Sequence, residues 1–206
     1  MINLGSLNLS DMKIGTSSVL SGYVGTSLVY PLYTPANSIW GPGNNNYVWL
    51  PYSGTTGLEY EWQGELLRYA NNVMFGWTGS TSGSIWRLYY PNSGDTSRYN
   101  FRIATTSSIE VPASSIPLNQ DMTLRLGNFF INKDGVDLVT GVTHTITDPM
   151  PVCLNMRTTK TKRLRLYDNG VLVFDGKPAV RNIDGVAGLL DSVSGNFYTN
   201  GTVYYD

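Results

Sequence analysis

The chain has a single cysteine, Cys153, so no internal disulfide can form. That lack does not assign a compartment, because a chain of 206 residues can bury roughly 70% of its extended surface and hold together without staples. Charge is also scarce, at 14% of residues with a net charge of −1, against an average near 25%. Without a basic block the electrostatic footprint of nucleic-acid binding is missing, and no nucleic-acid partner is expected. The densest basic run, "KTKRLR" (160–165), alternates in a way that suits the solvent face of a strand. No apolar run approaches the ~20 residues that a spanning helix needs, so membrane insertion is not expected. The opening "MINLGSLNLSDMKIG" has no charged start followed by an apolar block, and a Sec signal peptide is not expected.

A sustained 3.6-residue apolar period is absent too. In its place stand 22 glycines, 14 tyrosines and many Ser, Thr and Asn, the residues of strands and turns. Short alternating runs recur between turn signals. In "TGLEYEW" (56–62), Leu58, Tyr60 and Trp62 share one face, and Glu59 and Glu61 share the other. "SIWRLYY" (84–90) and "RYNFRIA" (98–104) read as strands joined through "PNSGDTS". "MTLRLGNFFINKDGVDLV" reads as two or three strands with a turn at "NKDG". "RLRLYDNGVLVFDG" is the clearest hairpin, with Asn169-Gly170 as a type I′ turn. Many short strands at this spacing predict an all-β sandwich.

The first 35 residues differ. "GYVGTSLVY" (22–30) predicts a hairpin turning at Gly25-Thr26-Ser27, followed by "PLYTP", whose Pro31 and Pro35 are expected to interrupt pairing. A lone two-stranded hairpin is marginal, so it must pack on the main domain or on another chain. The expected division is residues 1–35 as an attachment segment, with Tyr23, Val24, Leu28, Val29 and Tyr30 as its interface, and residues 36–206 as the sandwich domain. "SIWGPGNNNYVWLPY" (38–52) reads mostly as an aromatic-rich loop. Its Trp40, Tyr47, Trp49 and Tyr52 are candidates for stacking on sugar, anchoring a protein interface or filling the sandwich's open edge.

The segment "RLRLYDNGVLVFDGKPAVRNIDGVAGLLDSVSGNFYTNGT" resembles the C-terminal end of concanavalin A-like (laminin-G-like) jelly-roll domains of bacteriophage virion proteins. "TGLEYEWQGELLRYANNVMFGWTGS" and "IWRLYYPNSGD" are similar to that sandwich's early strands, so the likeness covers roughly residues 45–206. "MKIGTSSVLSGYVGTSLVYPLY" is similar to a hairpin that often begins tailed-phage structural proteins. The resemblance implies an all-β jelly-roll sandwich behind a short hairpin, in a virion structural protein. Its implied partners are other virion proteins (capsid, portal or tail) and copies of itself, with host surface glycan as an alternative partner. Its implied place is the virion, assembled in the host cytoplasm and released by lysis. No cofactor is implied.

The residues of the C-terminal motif read as architecture. Asp184-Gly185 and Ser194-Gly195 turn the chain. Leu189 and Leu190 cannot both face inward, so one is expected to cap the core's edge. Phe197-Tyr198 is expected to close a strand onto the sheet, with Phe197 buried.

Some relatives of this fold are glucanases with carboxylates in a pattern like E-x-D-x-x-E, beside which "EYEWQGE" sets Glu59, Glu61 and Glu65. Residues i and i+2 lie about 6.5–7 Å apart on one face, a workable separation for glycoside hydrolysis. The third carboxylate comes one residue late and is expected to fall off the shared face. A solvated outer face is therefore preferred to a glycosidase, and the chain is read as a non-enzyme. His144, the single histidine, has no nucleophile elbow to serve, since "GSTSG" carries Thr at its centre. One histidine and one cysteine cannot make a zinc site unaided. Cys153 is expected to be a small packed residue. "NKDGVD" and "YDNG" have acid–glycine turns of the kind that hold calcium in some jelly-roll lectins, but without an EF-hand spacing they are expected to be plain turns.

Overall fold

The computed structural model describes residues 13–14, 17–18, 21–24, 27–41, 47–53, 55–68, 73–77, 86–89, 97–103, 107–127, 130–140, 151–199 and 203–206. Apart from a 3-10 turn at Ala113–Ser115, the regular structure of these residues is extended strand. The strands are Lys13–Ile14 (β1), Ser17–Ser18 (β2), Ser21–Val24 (β3), Ser27–Pro31 (β4), Tyr33–Pro35 (β5), Ile39–Trp40 (β6) and Tyr47–Ser53 (β7). Then come Leu58–Leu66 (β8), Val73–Trp77 (β9), Trp86–Tyr89 (β10), Arg98–Ile103 (β11), Ser107–Pro112 (β12), Asp121–Leu126 (β13), Phe130–Lys133 (β14) and Val136–Thr140 (β15). Pro151–Asn155 (β16), Thr159–Asp168 (β17), Val171–Arg181 (β18), Val186–Asp191 (β19), Phe197–Tyr198 (β20) and Tyr204–Tyr205 (β21) complete them.

Two antiparallel sheets form a sandwich-like arrangement. The larger runs β15-β14-β13-β8-β17-β18-β19-β20, with β5 added beside β18, β6 beside β17 and β21 beside β6. The smaller runs β12-β11-β10-β9-β16-β7. The chain crosses between sheets after β6, β7, β8, β12, β15 and β16, so some central strands lie beside partners distant in sequence. β8, for instance, lies between β13 and β17.

The alternation read in β8 is the rule that builds the core. Leu58, Tyr60, Trp62 and Leu66 are buried, while Glu59, Glu61, Gln63 and Glu65 are half-exposed. They pack with Leu164, Leu166 and Phe174 of the same sheet and with Val48, Leu50, Leu88, Phe101 and Leu154 of the other. Polar groups in this core are paired, as burial requires. Tyr60 Oη donates to the Cys153 carbonyl at 3.4 Å, joining the sheets. Trp62 Nε1 donates to Thr161 Oγ1 at 2.9 Å, Thr161 to Thr159 Oγ1 at 3.3 Å, and Thr159 to the Asn155 carbonyl at 2.8 Å. Cys153 is packed as expected: its thiol donates to the Gly76 carbonyl at 2.9 Å, and burial pushes its pKa up to about 12.

The local turn signals hold. Asn169-Gly170 has φ of 49° and 79°, and Asp134-Gly135 has 51° and 86°, the double left-handed pair that a type I′ hairpin requires. "MTLRLGNFFINKDGVDLV" forms three strands, β13 to β15. β10 and β11 pair as read, although residues 91–96 of the linking "PNSGDTS" lie outside the described residues. His144 lies outside them too.

The hairpin near the N-terminus is present as β3–β4, with Ser27 already in β4 opposite Val24 and Gly25-Thr26 outside the described residues, and these two strands pair with no other described strand. The side chains of Tyr23, Val24, Leu28, Val29 and Tyr30 are outside the described set. The two prolines do not interrupt pairing as expected. Pro31 pairs with Ser21, and Pro35 ends β5 opposite Ala179. Both occupy strand ends, where a missing N–H is tolerated. Tyr33–Pro35 thus belongs to the large sheet, with Leu32 accepting a backbone hydrogen bond from Asn182 at 2.9 Å.

Candidate functional site

The aromatic stretch 38–52 is not the loop expected, because Tyr47–Ser53 is a full strand at the edge of the smaller sheet. Its edge position tolerates Pro51. The two-residue period then sorts the aromatics. Val48 and Leu50 turn inward, and Tyr47 and Trp49 turn outward, with rings 6.0 Å apart and Trp49 49% exposed. Tyr52 packs toward the core, edge-on to Phe174 at 6.1 Å, and its hydroxyl donates to the Val173 carbonyl. It leaves the set of contact candidates for that reason. Burial also raises the Tyr52 and Tyr47 hydroxyl pKa values. Trp40 sits in β6, its ring 6.1 Å from Tyr204 and 5.3 Å from the Lys160 ammonium. Tyr204 and Tyr205, 46% and 51% exposed, were not singled out from sequence. They reach Trp40 and Ile39 by the β21–β6 pairing, a contact between residues over 160 apart that no local pattern marks.

On the outer face of the large sheet, Glu59, Glu61 and Glu65 all stand in one row. The expectation that Glu65 leaves this face is corrected: β8 runs unbroken, and the three positions share parity. Each has cationic neighbours. Arg125 donates to Glu59 at 2.8 Å, Arg165 to Glu61 at 2.5 Å, and Lys162 lies 3.9 Å from Glu65 and 2.5 Å from Asp121. The register lines up Arg125, Glu61, Arg165 and Asp175 as one rung of alternating charge across four strands. "KTKRLR" supplies much of it from the solvent face of β17, as expected. A bulge between Thr161 and Arg163 leaves Lys162 and Arg163 both toward solvent. The polar groups of the "NKDGVD" turn are engaged: Asn132 Nδ2 donates to Asp137 at 2.7 Å within it, and Asp134 accepts the N–H of Thr123 in β13 at 2.8 Å. No group of three or more His, Cys, Asp and Glu side chains suited to a metal occurs among the described residues.

Asp175 anchors one end of that charged rung. Arg163 grips it through two hydrogen bonds of 2.7 and 2.8 Å, and Ser192 Oγ adds a third at 2.8 Å. The Arg163 bonds chiefly, with help from Ser192, hold the carboxyl at about 2, against burial pushing it up. Unfolded, the group returns to about 3.9. The resulting stabilisation, about 2 kcal/mol, is complete above pH ~4 and is lost as pH falls through about 2. Arg163→Gln should therefore narrow its stability gap to the unmodified protein as pH drops from 4 to 2, read from urea unfolding at each pH. A gap constant over that window would contradict the assignment.

The C-terminal motif organises a second region. Asp191 is fully buried at the end of β19. Its carboxylate accepts N–H bonds from Asp175 (2.8 Å), Val193 (3.0 Å) and Ser194 (3.1 Å), plus the Ser194 hydroxyl at 2.5 Å. Leu189 is the inward leucine, and Leu190 lies half-buried on the outer face. Phe197 is not buried in the core as expected. It pairs with the outward Leu190, while Tyr198 pairs with Leu189 and meets Phe174 edge-on at 5.6 Å. Register therefore puts Phe197 outside, where its ring crosses Gly188 and stacks on Tyr33 at 5.1 Å, with the Arg181 guanidinium 5.3 Å away. A cleft of about 310 Å³ opens beside this stack, between β5, β18, β19 and the turn at 192–195.

The fold and these surfaces define an antiparallel β-sandwich with a charge-paired outer face and exposed edge aromatics. No family model, curated protein or solved structure matches the chain.

Proposed function

We propose that this chain is a structural component of a tailed-phage virion, with a concanavalin A-like jelly roll behind an attachment hairpin. The observation that carries the reading is the behaviour of β3–β4: it pairs only with itself among the described strands, while β5, directly after it, enters the large sheet. A two-stranded unit of that kind gains stability from a partner surface, here another virion protein. The sandwich then projects outward or fills a gap between subunits, in symmetric copies. The resemblance of residues 163–202 to the closing strands of virion jelly rolls supports the same reading. The engagement of Glu59 and Glu61 by Arg125 and Arg165 supports a non-enzymatic role, because both carboxylates of the best pair are already committed to guanidinium groups.

A second reading, a glycan-binding receptor module, is favoured by the half-exposed Trp49 beside Tyr47 on an edge strand, since flat aromatic faces stack on sugar rings. The two readings coexist in one protein.

The test is truncation. Because Tyr33–Pro35 is part of the large sheet, the shortened chain must begin at Leu32 instead of residue 36. It should keep the circular dichroism of the full chain and fail to join particles. Normal incorporation into virions would rule out the hairpin as the attachment element.

A further inference from the structure

We propose that the cleft between β5, β18, β19 and the 192–195 turn binds a carboxylate-bearing sugar residue, with Tyr33 as the stacking wall and Lys177 as the partner of the carboxylate. The proposal rests on the glycan-binding reading above and adds to it a site and a ligand class.

The shape comes from the register. Tyr33 and Pro35 of β5, Ala179 of β18, Leu190 and Asp191 of β19, and Ser192 line it. The outward-facing pairs Pro35–Ala179 and Lys177–Leu190 set these side chains on the same face of the sheet. At about 310 Å³ the space is at the small end of ligand sites and suits one ring with its substituents. Tyr33 is held in place by its stack on Phe197, so binding costs little ordering of the aromatic wall.

Charge selects the ligand. The large sheet's other cations each have a carboxylate within ion-pair distance: Arg125, Lys133, Lys160, Lys162, Arg163, Arg165 and Arg181. Lys177 alone on this sheet has no ion pair or hydrogen bond among the described residues, and it stands at the cleft's mouth. The neighbouring acids are engaged elsewhere. Asp175, whose charge Lys177 also feels, is held by Arg163 and Ser192, and Asp191, which itself lines the cleft, has its carboxylate taken by four donors. A mostly apolar cleft with one aromatic wall and one ammonium outside any ion pair matches a pyranose ring with an apolar C–H face and an acidic substituent. A neutral sugar leaves the ammonium unmatched, and a simple carboxylate leaves the walls unused.

The experiment is titration of the full chain by calorimetry at low salt with methyl glucuronide and methyl glucoside. The glucuronide should bind saturably and about tenfold more tightly than the glucoside. Lys177→Gln, an exposed change that leaves the fold intact, should erase that preference. Tyr33→Ala, checked for folding by circular dichroism, should weaken both. Absence of saturable binding by either sugar, or a preference that survives Lys177→Gln, would overturn the proposal. A panel of oligosaccharides separates this failure from that of the broader reading. Binding lost in Trp49→Ala but untouched by Lys177→Gln moves the glycan site to the β7 edge and overturns the cleft. No binding to any member of the panel overturns both.

Discussion

Asp191→Ala is expected to lower the unfolding free energy by about 3 kcal/mol. The side chain is fully buried and has no ion pair among the described residues; four donors satisfy it instead. Removing it orphans the Asp175 N–H, which lies in a buried part of β18 and has no ready access to water. It also frees the N–H groups of Val193 and Ser194, which sit in an exposed turn and recover part of the loss from solvent. Asp191→Asn keeps one acceptor oxygen but turns a second donor-facing atom into a donor, so about half the full cost is expected. The ordering Ala worse than Asn, measured by denaturant midpoints at constant m-value, is the signature of a hydrogen-bond hub. Equal effects, or none, would reduce the aspartate of this motif to a turn former. The same substitutions should increase hydrogen exchange at residues 191–196 before it rises elsewhere.

Gly64→Ala is expected to cost about 3 kcal/mol or more. Gly64 has φ of 156°, and a Cβ on it would stand 2.0 Å from the Lys160 carbonyl oxygen and 2.8 Å from Cζ2 of Trp62. The first of these is backbone and cannot step aside. The crowding has a cause in the neighbouring strand: β17 bulges between Thr161 and Arg163, and Gly64 is the residue opposite Thr161. The missing side chain also leaves room for the Trp62 indole to reach Thr161 Oγ1. Relief requires β17 to move outward, which breaks the Trp62–Thr161–Thr159 chain and loosens the centre of the large sheet. A reduced thermal midpoint with a changed near-ultraviolet tryptophan signal is the expected result. An unchanged midpoint would mean that the two strands are not pressed together at this bulge.

Several features were fixed by the sequence because they are local. In β8, Leu58, Tyr60 and Trp62 alternate with Glu59 and Glu61, and a strand's two-residue period puts such a run half in and half out wherever it lies. Asp134-Gly135 and Asn169-Gly170 make their turns because few other residue pairs tolerate two left-handed conformations in succession. The all-β character follows from many such short runs. Parity alone, followed along an unbroken β8, also places Glu65 beside Glu59 and Glu61.

Only the tertiary structure decided who neighbours whom. Strand pairing is non-local, so nothing in the vicinity of Phe197 announces that it lies opposite the outward Leu190 and stacks on Tyr33, far away at the other end of the chain. Tyr52 reads like its neighbours Tyr47 and Trp49, yet it turns inward because β7 lies over Phe174 and Val173. Tyr33–Pro35 reads as the tail of the attachment segment, but the open edge of β18 at Ala179–Arg181 recruits it into the sheet. The same recruitment creates the wall of the cleft and leaves Lys177 at its mouth. A one-residue change in any of these registers would turn each of those side chains to the opposite face, so the sandwich is written in the sequence while its surfaces are set by the pairing.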